Sequence, residues 1–265
     1  MGKSLKQQSV MTNLGVVATL IIILLTAGCS NTVSQNIHLK YGNPSRANNK
    51  YTNYSIERPQ YALSYNCNAG IANWASWQLD RSWLGTVERS NDFRPDLDLP
   101  EGCYSVRPND YRGSGYDRGH LVPSGDRTRL QEDNSATFIM SNIIPQAPAN
   151  NREVWRELEE YCRRLVIQGK ELYIVAGGSE LTERIAESKV VAPKYNWKVV
   201  LVKTRSPAEI TVDNTRTIAV WIPNSPEVEH TDWRDYIVPV DTIEQKTGYN
   251  FFDRLPRKVQ KQIER

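Results

Sequence analysis

The sequence predicts an α+β fold with a central, largely antiparallel sheet flanked by helices. Three observations predict it. Helical and strand-like runs follow one another without a repeating βαβ order. Two early apolar, aromatic runs flank a glycine-containing turn, as in a hairpin. One mid-chain stretch carries apolar residues at three- and four-residue steps. With 265 residues, 39% of them hydrophobic and 24% charged, the chain can bury a sizeable core. Its net charge of +3 permits an anionic partner without demanding one.

The N-terminus reads as a targeting segment. Lys3 and Lys6 precede an apolar run from about Leu14 to Ala27, too short for a convincing membrane span. Residues 1–28 are therefore read as a signal peptide, and the protein is expected to be exported, either periplasmic or secreted. Ala27-Gly28-Cys29 resembles a bacterial lipoprotein cleavage box, although Thr26 stands where that box has a leucine-like residue. Lipidation of Cys29 with membrane anchorage, ordinary cleavage nearby and an uncleaved anchor all stay open. Residues 29–52, rich in Asn, Ser and Gln, read as a mobile tether, and 53–265 as the functional domain.

Export bears on the remaining cysteines. Cys67 and Cys103 both occupy turn-like contexts and are expected to form a disulfide, while Cys162 falls on a helix as a buried apolar group. The sequence has no CxxC and no Cys/His cluster, which argues against a zinc site.

The elements follow in order. Tyr61–Tyr65 and Ala72–Leu79 form the hairpin. A connection through Pro95 and Pro100 reaches a glycine-rich loop, Arg112–Tyr116, which delivers Asp117-Arg118-Gly119-His120. Thr137–Met140 reads as a short buried strand. Asn151–Gln168 reads as a helix with Val154, Trp155, Leu158, Cys162 and Leu165 inward, capped by Asn150 or Asn151 and ended by Gly169. Strands are expected at Glu171–Ala176, ending at Gly177-Gly178, then at Trp197–Lys203 and Thr217–Ile222. Short helices are expected at Asp241–Gly248 and Leu255–Glu264.

Candidate chemistry centres on one of three histidines. His38 falls in the tether and His230 in a polar connection. His120 follows the glycine-loosened loop, and in an extended segment Arg118 would share its face. Histidine titrates near neutrality and suits a general base, but a hydrogen-bonded structural histidine is the plainer alternative. Asn151, Trp155, Glu159 and Arg163, four residues apart, lie along one helical stripe. An amide oxygen suits a hard divalent cation, and Glu159, about 12 Å further along the axis, could hold the cation's waters. The plainer alternatives are an N-cap for Asn151 and a surface ion pair for Glu159 with Arg163. Arg89, Arg118 and Arg163 could bring charge to a phosphate if they converge.

Asp117-Arg118-Gly119-His120, Ser141–Gln146 and Asn151–Glu159 together resemble the DNA/RNA non-specific endonucleases, the sugar-non-specific nucleases of the ββα-metal or His-Me finger superfamily. The likeness covers roughly Leu39 to the C-terminus. It implies a ββα-metal finger site and a Mg²⁺-dependent enzyme, with Mn²⁺ as a substitute. Its substrates would be DNA and RNA, cut with little sequence preference to 5′-phosphate and 3′-hydroxyl ends. It implies His120 as general base, Asn151 as the direct metal ligand and Glu159 as the residue orienting the metal's waters. Arg89 would stabilise the transition state with help from Arg118 and Arg163. Asn142 would orient His120 or support the site, and Asp117 would shape the finger. Whether a protein inhibitor is a further partner stays open. The competing reading is a catalytically idle envelope lipoprotein that binds nucleic acid or another polyanion, against which the intact His120, Asn151 and Glu159 speak.

Overall fold

Seven strands form an antiparallel sheet: β1 (Asn49–Lys50), β2 (Asn53–Glu57), β3 (Ala62–Asn66), β4 (Ile71–Leu79), β7 (Lys170–Ile185), β8 (Val190–Thr204) and β9 (Thr215–Pro223), paired in that order. The insertion between β4 and β7 holds a separate two-stranded ribbon, β5 (Asp117–His120) with β6 (Ile143–Gln146), and two helices, α1 (Gln131–Ala136) and α2 (Trp155–Ile167). Helices α3 (Val240–Thr247) and α4 (Arg257–Ile263) close the chain. This computed structural model describes residues 1–2, 36–187, 189–204 and 210–265. The cleavage box with Cys29, and all but two residues of the segment read as a signal peptide, lie outside them. Residues Gln35–Arg265 form one compact unit. Among the described residues no helix is long and apolar enough to cross a membrane.

Strand alternation sorts the core into two layers. Trp74, Tyr173, Val175, Trp197, Val199 and Leu201 pack with Ile243, Phe251 and Val259 of the C-terminal region. Their alternates Trp77, Leu172, Ile174, Val200 and Val202 pack with Trp155, Leu158, Cys162 and Leu165 of α2. One face of the sheet thus carries α2 and the other carries α3 and α4. Lys198, on β8 between Trp197 and Val199, takes the α2 side although it is charged, and it is almost wholly buried.

The α+β class, the hairpin and the C-terminal helices appear as the sequence predicts. Four expectations are corrected. The tether does not extend through residues 36–52: Ile37–Leu39 form a helical turn and β1 begins at Asn49. His38 is buried there, its Nδ1 accepting from the Gln78 amide and its Nε2 meeting the Pro59 carbonyl at 2.8 Å. Thr137 and Phe138 form a turn, Ile139 makes an isolated bridge to Arg94, and Met140 opens a 3-10 helical turn. The strand at Glu171 does not stop at Gly177-Gly178 but runs to Ile185, because β8 pairs with it along its length. Neither Asn150 nor Asn151 caps α2. A single π-helical turn, Asn150–Val154, leads directly into it, and Asn150 instead donates to the Pro223 carbonyl at 2.9 Å.

Cys67 and Cys103 are joined in a disulfide, and Cys162 is free and buried. The bond ties the turn after β3 to the loop that leads toward β5, across a separation of 36 residues. Loop-closure entropy on that scale is worth roughly 4 kcal/mol. Replacing both cysteines by alanine should lower the unfolding free energy by about that amount in denaturant titrations. An unchanged midpoint would show that the bridge does not restrain the unfolded chain.

Candidate active site

The ribbon delivers the histidine. In the β5–β6 register His120 stands opposite Ile143 and Gly119 opposite Ile144. A Cβ at Gly119 would overlap the Gln146 side chain, so the close approach of the two strands requires glycine there. Asn142, fully buried, accepts from the Val122 amide at 3.0 Å and donates to the Val122 and Thr137 carbonyls at 2.9 and 2.8 Å. Its side chain fixes the backbone just beyond His120 and makes no hydrogen bond to the imidazole. Of the two roles considered for it, support is the one its contacts fit.

Two phenyl rings hold His120 and the arginines together. The imidazole lies 5.4 Å from the Phe93 ring and 4.9 Å from the Phe138 ring, centre to centre. The Arg118 guanidinium sits 4.3 Å from the centre of Phe93, and that of Arg89 sits 4.8 Å from Phe138. Arg89 also donates to Ser124 Oγ at 2.8 Å. Burial first, then Arg89 and Arg118, push His120 from its usual 6.5 down to about 3. Its Nε2 is buried without a hydrogen-bond partner among the described residues. The imidazole is therefore neutral at physiological pH. The structural, hydrogen-bonded histidine of the plainer reading is His38, not His120.

The π-helical turn brings in Asn151. Its Nδ2 donates to Asp117 Oδ2 at 2.9 Å, and Arg152 grips both oxygens of the same carboxylate at 2.8 and 2.7 Å. A carboxylate only accepts, so it fixes which end of the amide faces it. The carbonyl Oδ1 of Asn151 is left without a donor among the described residues. Asp117 is held below the usual carboxylate range: burial opposes this, but the bonds from Arg152 and Asn151 outweigh it.

Glu159 lies further along the same side of the helix, with its side chain 13% exposed. The surface ion pair with Arg163, the plainer alternative, does not form. Arg163 turns to the buried Asp126 at 3.0 Å, which also accepts from Trp77 Nε1 at 3.0 Å. The nearest cation to Glu159 is Lys198 Nζ at 3.9 Å, which also lies 4.0 Å from the centre of the Trp155 ring. Burial pushes Glu159 from 4.5 up to about 7, against the pull of Lys198 and Arg163. Arg89, Arg118, His120, Asn151, Glu159 and Arg163 all line one cleft of about 550 Å³. A neighbouring cleft of about 460 Å³ shares Arg89, Arg118 and Asn151 and adds Asp117, Phe93 and Tyr116.

A family model of the DNA/RNA non-specific endonucleases matches residues 35–258. The chain belongs to this family. The endonuclease is 49% identical to a nuclease of Nostoc sp., over 95% of this chain and 96% of that one. It is 31% identical to the mitochondrial nuclease EXOG of Xenopus laevis, covering 74% of this chain but only 58% of that longer protein. The solved EndoG/EndoGI complex, described by its mechanism of EndoG inhibition, contains a similar fold. Its TM-score is 0.72 at 27% identity, over 83% of this chain and 92% of that chain. The endonuclease is thus an enzyme that hydrolyses nucleic acid.

Sequence reasoning missed the residues that enclose the site: Phe93, Phe138, Asp126 and Lys198. One signal was present, a lone lysine inside the apolar run Trp197–Val202. Two outcomes follow from the electrostatics. His120 takes up its proton more readily in the unfolded chain than in the folded one. Its contribution to stability is whole above pH 6.5 and is lost as the pH falls toward 3. An NMR titration of His120 should show a midpoint well below 6.5, and a midpoint at the usual value would mean that the ring is solvated. Glu159 has the opposite sign: its folded pKa is raised, so its contribution is present below pH 4.5 and is lost as pH rises through about 7. Lys198→Gln removes the cation that opposes this shift and should move the acid limb of the pH–rate profile to higher pH. A profile that only drops in height would assign Lys198 to packing alone.

Proposed function

We propose that the chain is an exported, Mg²⁺-dependent endonuclease that cuts DNA and RNA with little sequence preference, leaving 5′-phosphate and 3′-hydroxyl ends. The observation that carries this reading is the convergence of a neutral, desolvated His120 with Arg89, Arg118, Asn151 and Glu159 in one cleft. His120 accepts the proton of the attacking water. Burial between two phenyl rings keeps it unprotonated beside two arginines, so the base is available at neutral pH. Arg89 and Arg118 face the same cleft and compensate the charge that builds on the phosphate as the 3′-oxygen leaves. Arg163, held by Asp126, lines the same cleft and assists. Asp117 and Asn142 act by position: one orients Asn151, the other fixes the strand end that bears His120.

The donor set fits a hard divalent cation. Asn151 Oδ1 is a neutral oxygen left without a partner among the described residues, and Glu159 supplies a carboxylate further along the same cleft. Asn151 would hold Mg²⁺ directly, and Glu159 would hold its waters; Mn²⁺ has the same preference for oxygen. When bound, the ion neutralises phosphate charge as a Lewis acid. Contacts of this kind read phosphates and not bases, which supports weak sequence preference and strong salt dependence.

Export is supported by Lys3, Lys6 and the apolar run that follows, and anchorage by Cys29 in its cleavage-box context. A protein inhibitor is supported by the solved EndoG/EndoGI complex of a related fold. Cys29→Ser should release the protein from membranes without changing its activity.

Plasmid nicking and RNA digestion, each with Mg²⁺, Mn²⁺ or EDTA and followed by end-group analysis, test the central proposal. DNA and RNA should both be cut, and EDTA should stop the reaction. His120→Ala should lower turnover by about 10²–10⁴-fold while leaving substrate binding intact. Asn151→Ala should raise the Mg²⁺ concentration needed as well as slow the reaction. Cleavage by His120→Ala at the parent rate would remove the base assignment.

A further inference from the structure

Behind the sheet, on the face opposite α2, three carboxylates meet. Asp241 and Glu244 come from α3, and Glu264 follows α4. A ligand-type oxygen of each lies within 4.8 Å of the others. Asp241 is exposed and Glu244 half-buried, but Glu264 is only 5% exposed. The helices are brought together here by backbone as well, since the Asp241 amide donates to the Glu264 carbonyl at 3.1 Å.

Glu264 is the anomaly. Its Oε1 is buried with no hydrogen-bond partner among the described residues. The nearby amide Gln260 is committed elsewhere, donating to Asn250 Oδ1 at 2.8 Å and to the Phe251 carbonyl at 2.9 Å. Glu244 gives one oxygen to the Phe251 amide at 2.7 Å and keeps the other. No ion pair involves any of the three carboxylates among the described residues. Burial pushes the Glu264 carboxyl up to about 8, with the Glu244 carboxylate next in effect and Gln260 offering only partial relief. A buried carboxyl facing two like charges, with one oxygen left without a donor, is costly unless something positive meets it.

We propose that Asp241, Glu244 and Glu264 form a second cation site, selective for a hard divalent ion of the Ca²⁺ type, that clamps α3 to α4. All the donors are oxygens, and Ca²⁺ tolerates an irregular shell of carboxylates and waters. At a metal–oxygen distance of 2.3–2.6 Å, oxygens on opposite sides of one ion stand roughly 5 Å apart, so one Ca²⁺ can span this cluster. The site lies across the sheet from the cleft that holds Asn151 and serves stability, not turnover.

Thermal unfolding of the full chain carrying Asn151→Ala, which removes the candidate catalytic ligand, tests the proposal with CaCl₂ against EDTA. Ca²⁺ should raise the melting temperature of this protein, and adding Glu264→Gln should abolish the rise. In EDTA, Glu264→Gln should melt at or above its parent, because a buried unpaired carboxyl has gone. The rank order of the two proteins should therefore invert between EDTA and Ca²⁺. Asp241→Asn, at the exposed rim, should fold normally and weaken Ca²⁺ binding in equilibrium dialysis by about tenfold or more. No Ca²⁺-dependent rise, or a rise that survives Glu264→Gln, would overturn the site and leave a proton-sharing carboxyl cluster.

Discussion

The Asp117 carboxylate is the interaction on which the cleft depends. It sits at the start of β5 and is bound by Asn151 and Arg152 from the turn that leads into α2. Ribbon and helix are separate pieces of secondary structure, brought side by side from either end of a loop-rich insertion. Without this carboxylate nothing would dictate which end of the Asn151 amide turns toward the ribbon. With it, the amide nitrogen is engaged and the oxygen is presented. A charged acceptor thereby sets the orientation of a neutral side chain.

The remaining site chemistry is a matter of placing charge where water is scarce. His120 is kept neutral by burial and by the neighbouring Arg89 and Arg118, whose guanidinium groups rest on the same rings. Below them, Asp126, Glu159, Arg163 and Lys198 alternate in sign across the junction of α2 with the sheet. Removing one member of such a group leaves its partner buried and unpaired, which costs more than the pair itself contributes. The sheet makes this arrangement sustainable. Trp77 from β4 and Lys198 from β8 meet Asp126 and Glu159 from strands fixed on both edges by hydrogen-bonded neighbours.

The sequence made much of this legible, and the limits are physical. Period-two and period-3.6 patterns located the long strands and α2, because those elements bury one continuous face. Arg118 and His120 on one side of β5 followed from strand geometry alone. The stripe from Asn151 to Arg163 was also legible, but its partners were not. Asp126 and Lys198 come from elements far away in sequence, and no local pattern marks a charge as destined for burial. The segment 36–52 was misread because its order comes from side-chain hydrogen bonds, such as those of Asn43 and Asn53, and not from a periodic apolar face. Asn151 as an N-cap failed for a related reason: the helix begins in a wider turn that satisfies its own amides.

That wider turn sets a boundary on change in this chain. A π-helical turn holds one residue more than an α-helical turn of similar height, so Asn150–Val154 stores a surplus residue at the mouth of the cleft. Losing one residue from this segment would let an unbroken α-helix form, a locally more comfortable structure. It would also swing every side chain before the deletion by about 100° around the axis relative to those after it. The amide would then leave Asp117 while Glu159 stayed in place. The length of this segment is as much a part of the site as the Asn151 side chain.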